Sequence, residues 1–384
     1  MLSSQLQDPP DRLLSIEHAR RRAFGGAVQA RGLGGDGGGG RGAAFAVAPW
    51  IEASWQRCVA LGHAPASTLS FDAISKALQL RTRDANHHFL RAARPVMQQL
   101  AKTVASARCF ALVTDANGIV LEAAGHIDAQ DRRATLLSRI GVDLSERAIG
   151  TSAIGAALYE QVPVWLHRGE HFHADNRHYS CAGSPLFNPA GRCVGMLDIT
   201  GIDVPERPEL AQLVDSCARA IDDALVFALE ATAIFSLGWP GFAQAPGLVA
   251  VDADGWVLGL NRYARETLQA WTLSAPASKG THPHLGELFG APPDLVLGHL
   301  RKPIGTTFAL PLWSGVQMQL SVTRPLGALA SLGGMPLQAP ALSTVKDAEK
   351  HLIQQAMRSA KGNVELAAKQ LGMSRATLYR RLHP

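Results

Sequence analysis

The fold class is decided by residues 109–122, which read CFALVTDANGIVLE. Two apolar runs rich in β-branched residues flank the tetrapeptide Asp115-Ala116-Asn117-Gly118. An Asn-Gly pair between such runs is typical of the tight turn of a β-hairpin. The stretch therefore predicts two antiparallel strands.

Further strands and helices surround this hairpin. Short apolar runs predict the strands, and apolar residues at helical spacing predict the helices. The predicted strands lie at 163–166, 180–187 and 193–199, and the predicted helices at about 49–61, 83–107 and 209–235. Helices that flank an antiparallel sheet are typical of an α+β domain, and we expect a sensory one.

A second block follows the same order more weakly. Residues 247–258 again read as two strands around an Asp-Gly turn, a helix begins at Asn261, and two more strands follow at 306–312 and 316–323. Residues 325–342 are rich in Pro, Gly and Ala, which predicts a linker.

The last part of the chain, residues 343–384, predicts a helix-turn-helix. Two amphipathic segments, 363–372 and 373–382, contain Asn363 and Ser374, whose short polar side chains suit helix N-caps. The first segment ends in a glycine, which adopts the left-handed conformation of a sharp turn at little cost. The second helix would then enter the major groove of DNA.

The charge distribution favours this interpretation. Residues 343–384 hold eight Lys or Arg and three Asp or Glu, a net charge of +5. The whole chain holds 37 basic and 32 acidic residues, also a net charge of +5. The positive excess is therefore confined to the segment that would contact phosphates.

Double-stranded DNA is thus the predicted partner of this segment. Residues 344–359 carry apolar side chains on one side and predict a helix that pairs two subunits, hence a homodimer and a palindromic site. A solvated basic tail and a pure dimerisation device are the alternatives. The candidate DNA contacts are Lys361, Lys369, Ser374, Arg375, Ala376, Thr377, Tyr379, Arg380 and Arg381.

Bulk properties predict a soluble cytoplasmic protein without a membrane partner. The five cysteines form no CxxC pair, which fits a reducing compartment. The N-terminus shows no apolar signal region, and the most apolar stretch, 224–243, is interrupted by Glu230 and a Gly-Trp-Pro-Gly run. The glycine run at 32–42 predicts that residues 1–45 are disordered.

Five short motifs stand out between residues 141 and 201. They are GVDLSE at 141–146, GTSAIGAAL at 150–158, GEHF at 169–172, CAGSPL at 181–186 and GMLDITG at 195–201. These motifs resemble the GAF domain of acetoin-catabolism-regulator-type transcription factors, a family of sigma-54 activators. Residues 54–65 also resemble the N-terminal helix of that family, residues 247–323 resemble a PAS domain, and residues 343–384 resemble a Fis-type helix-turn-helix.

The resemblance implies a domain order. A disordered segment would be followed by N-terminal helices with a GAF domain, a PAS-like domain, a linker and a helix-turn-helix. The corresponding ranges are 1–45, 46–237, 245–324, 325–342 and 343–384.

The chain departs from the family in one respect. Members usually carry an ATPase domain between sensor and DNA reader, and the 325–342 linker has no room for one. The chain contains no G-x-x-x-x-G-K-[ST] phosphate loop and no Gly-Lys dipeptide. We therefore expect no enzymatic activity and no direct opening of sigma-54 promoters. Either RNA polymerase or a related full-length activator is then a possible partner, and the alternative function is that of a non-catalytic interaction protein that modulates such an activator.

The resemblance implies a small-molecule effector held in the GAF domain. Acetoin or another small alcohol, ketone or aromatic compound is suggested by family analogy only. The alternative is that these residues only form turns and sheet packing. The candidate effector contacts are Thr151, Trp165, His171, Phe172, Cys181 and Asp198.

Four histidines lie close to Cys181 in the sequence. Imidazole and thiolate groups are metal ligands, but the spacing matches no metal motif, so we predict no metal and no other cofactor. Cys181 as an oxidant sensor is a further alternative. No catalytic motif stands out. The four histidines are His167, His171, His173 and His178.

Overall fold

The computed structural model of this 384-residue chain describes residues 10–24, 47–71, 73–242, 246–272 and 283–324. The chain divides into two compact units, Met1–Gly334 and Met335–Pro384. The second unit, which contains the predicted helix-turn-helix, lies outside the described residues, as does the linker.

The predicted hairpin is the start of a five-stranded antiparallel sheet with the order β2-β1-β5-β4-β3. Gly118 turns the chain between the first two strands at φ +83°, and a Cβ there would lie 2.9 Å from the amide nitrogen of Ser145. Glycine is therefore required at this turn on two counts. The strands are β1 Cys109–Asp115, β2 Val120–Gly125, β3 Val164–His167, β4 Tyr179–Phe187 and β5 Cys193–Ile202.

Helices cover both faces of this sheet. One face packs on two long helices, α4 and α8. Their apolar residues form one cluster with the sheet, with members that range in sequence from Leu90 to Ile221. The other face packs on three short helices and their loops, in a second cluster that includes Leu112, Leu144 and Leu166. The helices of this part are α2 Pro49–Ala60, α3 Lys76–Ala85, α4 His87–Val104, α5 Arg132–Leu137, α6 Glu146–Ile149, α7 Ala153–Glu160 and α8 Leu210–Phe227.

The prediction that residues 1–45 are disordered is wrong for residues 10–24. They form helix α1, Pro10–Phe24, whose residues Ile16 and Ala19 are buried against Trp55 and Phe172. The basic character of the segment obscured this, because Arg20 is buried on the same side of the helix as the apolar residues. The glycine run itself lies outside the described residues.

A second five-stranded sheet follows, with the order β8-β7-β6-β10-β9. Together the two sheets and their helices confirm the predicted α+β class. Three helices belong to this part, α9 Arg262–Thr272, α10 Leu285–Leu288 and α11 Pro293–Leu300. Its strands are β6 Ala233–Gly238, β7 Gly247–Val251, β8 Val257–Leu260, β9 Thr307–Pro311 and β10 Gln317–Arg324.

The helix predicted to run from 209 to 235 ends earlier, at Phe227. Residues 233–238 form β6, the central strand of the second sheet, paired with β7 and β10. A short apolar run does not distinguish a buried strand from a buried helix by periodicity. Backbone pairing on both sides decides it here, and all but the last residue of the strand fall within the range 46–237 expected for the first domain.

In the described part of the chain, no helix combines the length and the apolar character needed to cross a bilayer.

Arg262, the first residue of α9, joins the second sheet to the first. Its guanidinium lies 2.8 Å from a carboxylate oxygen of Asp222 and 3.0 Å from one of Asp215, both on α8, and donates to the carbonyl of Pro185 on β4 at 2.7 Å. Asp222 also accepts from the amide of Phe187 at 2.8 Å. Burial raises the pKa of Asp222 to about 7, and the charge of Arg262 opposes this shift.

We expect Arg262→Met to lower the free energy of unfolding by about 3 kcal/mol, because it leaves the buried Asp222 carboxylate without its partner. The loss should be larger at pH 8.5 than at pH 6. The raised pKa means that ionised Asp222 itself costs stability above a pH of about 7, and there the attraction of Arg262 offsets part of that cost, so its loss is felt most on the alkaline side. Urea unfolding followed by tryptophan fluorescence measures both effects.

Arg219→Met is the matched control. Arg219 also pairs with Asp215, at 3.0 Å, but its side chain is 36% exposed. Exposed ion pairs contribute less than about 1 kcal/mol. The contact of Arg262 with α8 and β4 is called the joint below. Equal losses of unfolding free energy in the two variants would show that the joint is not held by the buried pair of Arg262 and Asp222.

Candidate ligand-binding cavity

A cavity lies between the first sheet and the short helices on its second face. Its volume is about 20 Å³. In this conformation it is therefore suited only to a very small guest. Its wall consists of Leu112, Leu137, Leu144, Ile149, Ser152, Ala153, Ile154, His171, Asn176, Tyr179, Cys181, Asp198 and Thr200.

Asp198 is the strongest polar group in this wall. The residue lies on β5 and is fully buried, and one carboxyl oxygen accepts a hydrogen bond from the Thr200 hydroxyl. The other oxygen, Oδ1, has no partner among the described residues. Burial raises the pKa of Asp198 to about 7, so near neutral pH a large share of the carboxyl group carries a proton and can donate.

His171 supplies a complementary acceptor. Its Nδ1 lies 3.0 Å from the Arg168 carbonyl, which only accepts, so Nδ1 carries the hydrogen and Nε2 the lone pair. Nε2 has no partner among the described residues. Burial lowers the pKa of His171 to about 4, so the ring is neutral at physiological pH.

Cys181, on β4, lies beside these groups but is not a reactive thiol. Its sulfur is 3.5 Å from the Thr200 hydroxyl, and burial raises its pKa well above the usual value. A thiol that stays protonated is a poor nucleophile and a poor target for oxidants. The structure therefore speaks against Cys181 as an oxidant sensor.

Of the six predicted contacts, three line the cavity, namely His171, Cys181 and Asp198. Thr151 does not, because its hydroxyl lies 2.7 Å from the hydroxyl of Ser54 on α2. This contact holds helix α2 against the rest of the domain instead.

Trp165 and Phe172 also lie outside the cavity wall. Trp165 packs into the cluster under α4 and α8, because neighbouring residues of a strand point to opposite faces and Leu166 takes the cavity side. The ring of Phe172 lies 5.4 Å from that of Phe24 at the end of α1. Its neighbour His171 occupies the cavity wall in its place.

The sequence reasoning missed polar wall residues on two strands and two loops. Strand alternation could have identified Tyr179 and Thr200, each two residues from a predicted contact on the same strand. No comparable signal marks Ser152, which caps α7, or Asn176, which lies between β3 and β4. Their positions depend on how the loops fold over the sheet.

The histidines near Cys181 separate in the structure. His173 Nε2 lies 3.3 Å from His63 Nδ1, and His178 Nδ1 lies 2.8 Å from a carboxylate oxygen of Asp203. His167 Nδ1 lies 2.7 Å from the Ser180 hydroxyl. Within the described ranges, no three His, Cys, Asp or Glu side chains are grouped so that they could hold a metal ion.

Comparison with known proteins matches two segments of the chain to family models. Residues 38–223, which include α2 to α7, most of α8 and the whole first sheet, match the N-terminal domain of MimR. Residues 344–383 match the bacterial regulatory proteins of the Fis family.

Two relatives of the chain are named as transcriptional or catabolic regulators. The acetoin catabolism regulatory protein of Cupriavidus necator is 30% identical over 259 residues, which are 65% of this chain and 36% of that protein. The propane 2-monooxygenase operon transcriptional activator MimR of Mycolicibacterium goodii is 29% identical over 238 residues, which are 59% of this chain and 38% of that protein. The matched part is thus little more than a third of each relative's length.

Among solved structures, the DhaR(N)–DhaL complex of E. coli covers 72% of this chain and 100% of the matched chain. The identity is 15% and the TM-score is 0.44.

Only residues 325–343 separate the last strand of the second sheet from the Fis-type segment, too few for an ATPase domain. The chain is therefore a homologue of acetoin-catabolism-regulator-type transcriptional regulators, with a MimR-type N-terminal domain and a Fis-family C-terminal segment and without an ATPase domain between them.

Proposed function

We propose that the chain is a cytoplasmic transcriptional regulator that binds a small, uncharged effector in the cavity of its first domain and binds double-stranded DNA through residues 344–383. The observation that carries this proposal is the combination of a Fis-family segment with a buried cavity whose wall holds two unpartnered polar atoms. Enzymatic activity is not part of the proposal.

Charge supports an uncharged effector. Among the described residues, no Lys or Arg lines the wall. A carboxylate ligand would therefore enter a poorly solvated space beside Asp198 without a counter-ion, which is unfavourable in a low dielectric. A molecule with a carbonyl to accept from Asp198 and a hydroxyl to donate to His171 would satisfy both unpartnered atoms.

Acetoin is a reasonable first compound to test. The Cupriavidus relative is named for acetoin catabolism. Acetoin is small and uncharged, and it has one carbonyl and one hydroxyl group.

Strand β4 offers a physical route from the cavity to the second sheet. Tyr179 and Cys181 on its first half line the cavity. On its second half, Ser184 donates to Asp215 at 3.0 Å and Pro185 accepts from Arg262 at 2.7 Å. An effector that favours one position of this strand would bias the joint at Arg262, which is the requirement for coupling.

DNA binding is supported by the Fis-family match and the +5 net charge of residues 343–384. We propose a homodimer on a palindromic site, with contacts from the nine residues named in the sequence analysis. RNA polymerase or a related full-length activator would be the downstream partner.

We expect Arg375→Ala/Arg380→Ala to weaken binding to the operator by at least about 30-fold, because each lost base or phosphate contact costs about 1–3 kcal/mol. Binding sites are first located across the source genome with the intact protein, and the affinity for one of them is then measured at fixed salt. Lys350→Ala/Arg358→Ala is the control, since it removes the same charge from the predicted dimer helix.

Equal weakening by both double variants would indicate non-specific attraction to phosphates rather than sequence reading. Absence of binding by the intact protein, even at low salt, would favour the alternative of an interaction protein that modulates a full-length activator.

We further expect the affinity for acetoin to fall as the pH rises through about 7, by about tenfold per pH unit above the pKa, because the ionised Asp198 no longer donates. Asp198→Asn keeps a donor and should abolish this dependence between pH 6 and pH 8.5. His171 does not interfere, since it stays neutral above a pH of about 4. Isothermal titration calorimetry measures the affinities.

Asp203→Asn serves as the control for this titration, because Asp203 is paired at the surface with His178 and Arg133. An unchanged pH slope in Asp198→Asn would contradict the assigned role of Asp198. Tighter binding of propanoate than of uncharged analogues at pH 8 would contradict the uncharged-effector proposal.

A further inference from the structure

We infer that helix α1 is a strap that holds the cavity closed by fixing residues 168–172, the segment that carries His171. The inference rests on the proposed function only in treating the cavity as the effector site. Residues 10–24 would thus belong to the effector-binding machinery.

Arg20 makes the main contact between α1 and this segment. Its side chain is only 3% exposed. Its guanidinium donates to the carbonyls of Gly169 at 2.8 Å, His171 at 2.6 Å and Phe172 at 2.8 Å. One charged side chain therefore satisfies three carbonyl groups that belong to the loop and not to its own helix.

Arg20 is itself held in place by aromatic rings. Its guanidinium carbon lies 5.1 Å from the ring centre of Phe24 and 5.4 Å from that of Trp55. Burial lowers its pKa to about 10, so it remains charged at neutral pH. These contacts pre-orient the guanidinium for the loop carbonyls.

Two further contacts hold α1 against residues 168–172. Arg12 pairs with the buried Glu170, whose second carboxylate oxygen accepts from the amide of His167 at 2.7 Å. A Cβ on Gly169 would lie only 3.0 Å from a methyl carbon of Ile16. The helix therefore lies directly on the backbone of the loop.

His171 is held on both sides of its own peptide. Its amide donates to the Arg168 carbonyl at 3.1 Å, and its carbonyl accepts from Arg20. Because its ring forms part of the cavity wall, the position of this wall depends on the loop, and the loop depends on α1. Departure of α1 would leave three carbonyls without Arg20 and expose Glu170, which favours loosening of the loop.

The cavity has to enlarge before an effector can enter it. Its volume is only about 20 Å³, so binding of an effector requires the wall to move. By linkage, an effector that binds the open state must also promote release of α1.

Cysteine labelling tests the strap in the intact chain without any effector. Cys181 is 7% exposed and lines the cavity, Cys58 is 0% exposed in the same cluster as Ile16 of α1, and Cys109 is 1% exposed on the opposite face of the sheet. The uncharged reagent iodoacetamide is used, and labelling is followed by peptide mass spectrometry. Each rate is compared with that of the same cysteine in the unmodified protein, so intrinsic reactivity cancels.

In Arg20→Met we expect the Cys181 rate to rise at least about tenfold relative to the Cys109 rate, and the Cys58 rate to rise as well. A tenfold rise corresponds to about 1.4 kcal/mol of easier opening. Arg21→Met is the matched control, because Arg21 is the next residue of the same helix and is exposed. It should leave all three rates unchanged.

A rise at Cys58 without a rise at Cys181 would overturn the inference, since α1 would then cover only α2. Unchanged rates in Arg20→Met would overturn it too. If Arg20→Met unfolds the domain, Cys109 is labelled as fast as Cys181, and the milder Ile16→Ala then decides by the same ratio. None of these outcomes depends on whether acetoin or DNA binds, so failure of the strap is distinguishable from failure of the proposed function.

Discussion

Burial of the first sheet on both faces is the constraint on which the rest of the structure depends. Because strand residues alternate between faces, the buried side chains of β4 and β5 divide between the core under the long helices and the face that carries the cavity. Asp198 falls on the cavity side, where the described residues place no Lys or Arg in the wall. Its raised pKa follows from this buried position and underlies our proposal of an uncharged effector.

The same strands connect the cavity to the rest of the protein. β4 passes from the cavity wall to the contacts with Asp215 and Arg262, so one rigid element meets both places. The joint there is buried and charged, unlike the weak surface pairs that usually link domains. A small movement of the strand would therefore be resisted by, or transmitted through, the partners of Arg262. This arrangement suits a sensor whose output lies elsewhere in the chain.

Under the strap inference, helix α1 would add a second level of control. Its polar contacts go to backbone carbonyls of one loop, so it stabilises a conformation of the chain and not merely an apolar surface. A ligand site closed from outside by a separate helix differs from a preformed open pocket, because binding then competes with helix docking. The free energy needed to displace α1 would then reduce the apparent affinity for the effector.

Local patterns were enough to predict the hairpin at 109–122, the seven other strands besides β6, and the C-terminal segment that matches the Fis family. Turn chemistry, alternation and charge are short-range properties, and each is visible in a few neighbouring residues. The absence of room for an ATPase domain also follows from the sequence alone.

Tertiary structure decided the rest. β6 is a strand because β7 and β10 pair with it, and α1 is ordered because Arg20 finds three carbonyls that lie about 150 residues away in the sequence. Of the six predicted contacts, Thr151, Trp165 and Phe172 point elsewhere, since a residue's face is set by the elements packed around it. Which residues share a cavity is a long-range property, and no local pattern contains it.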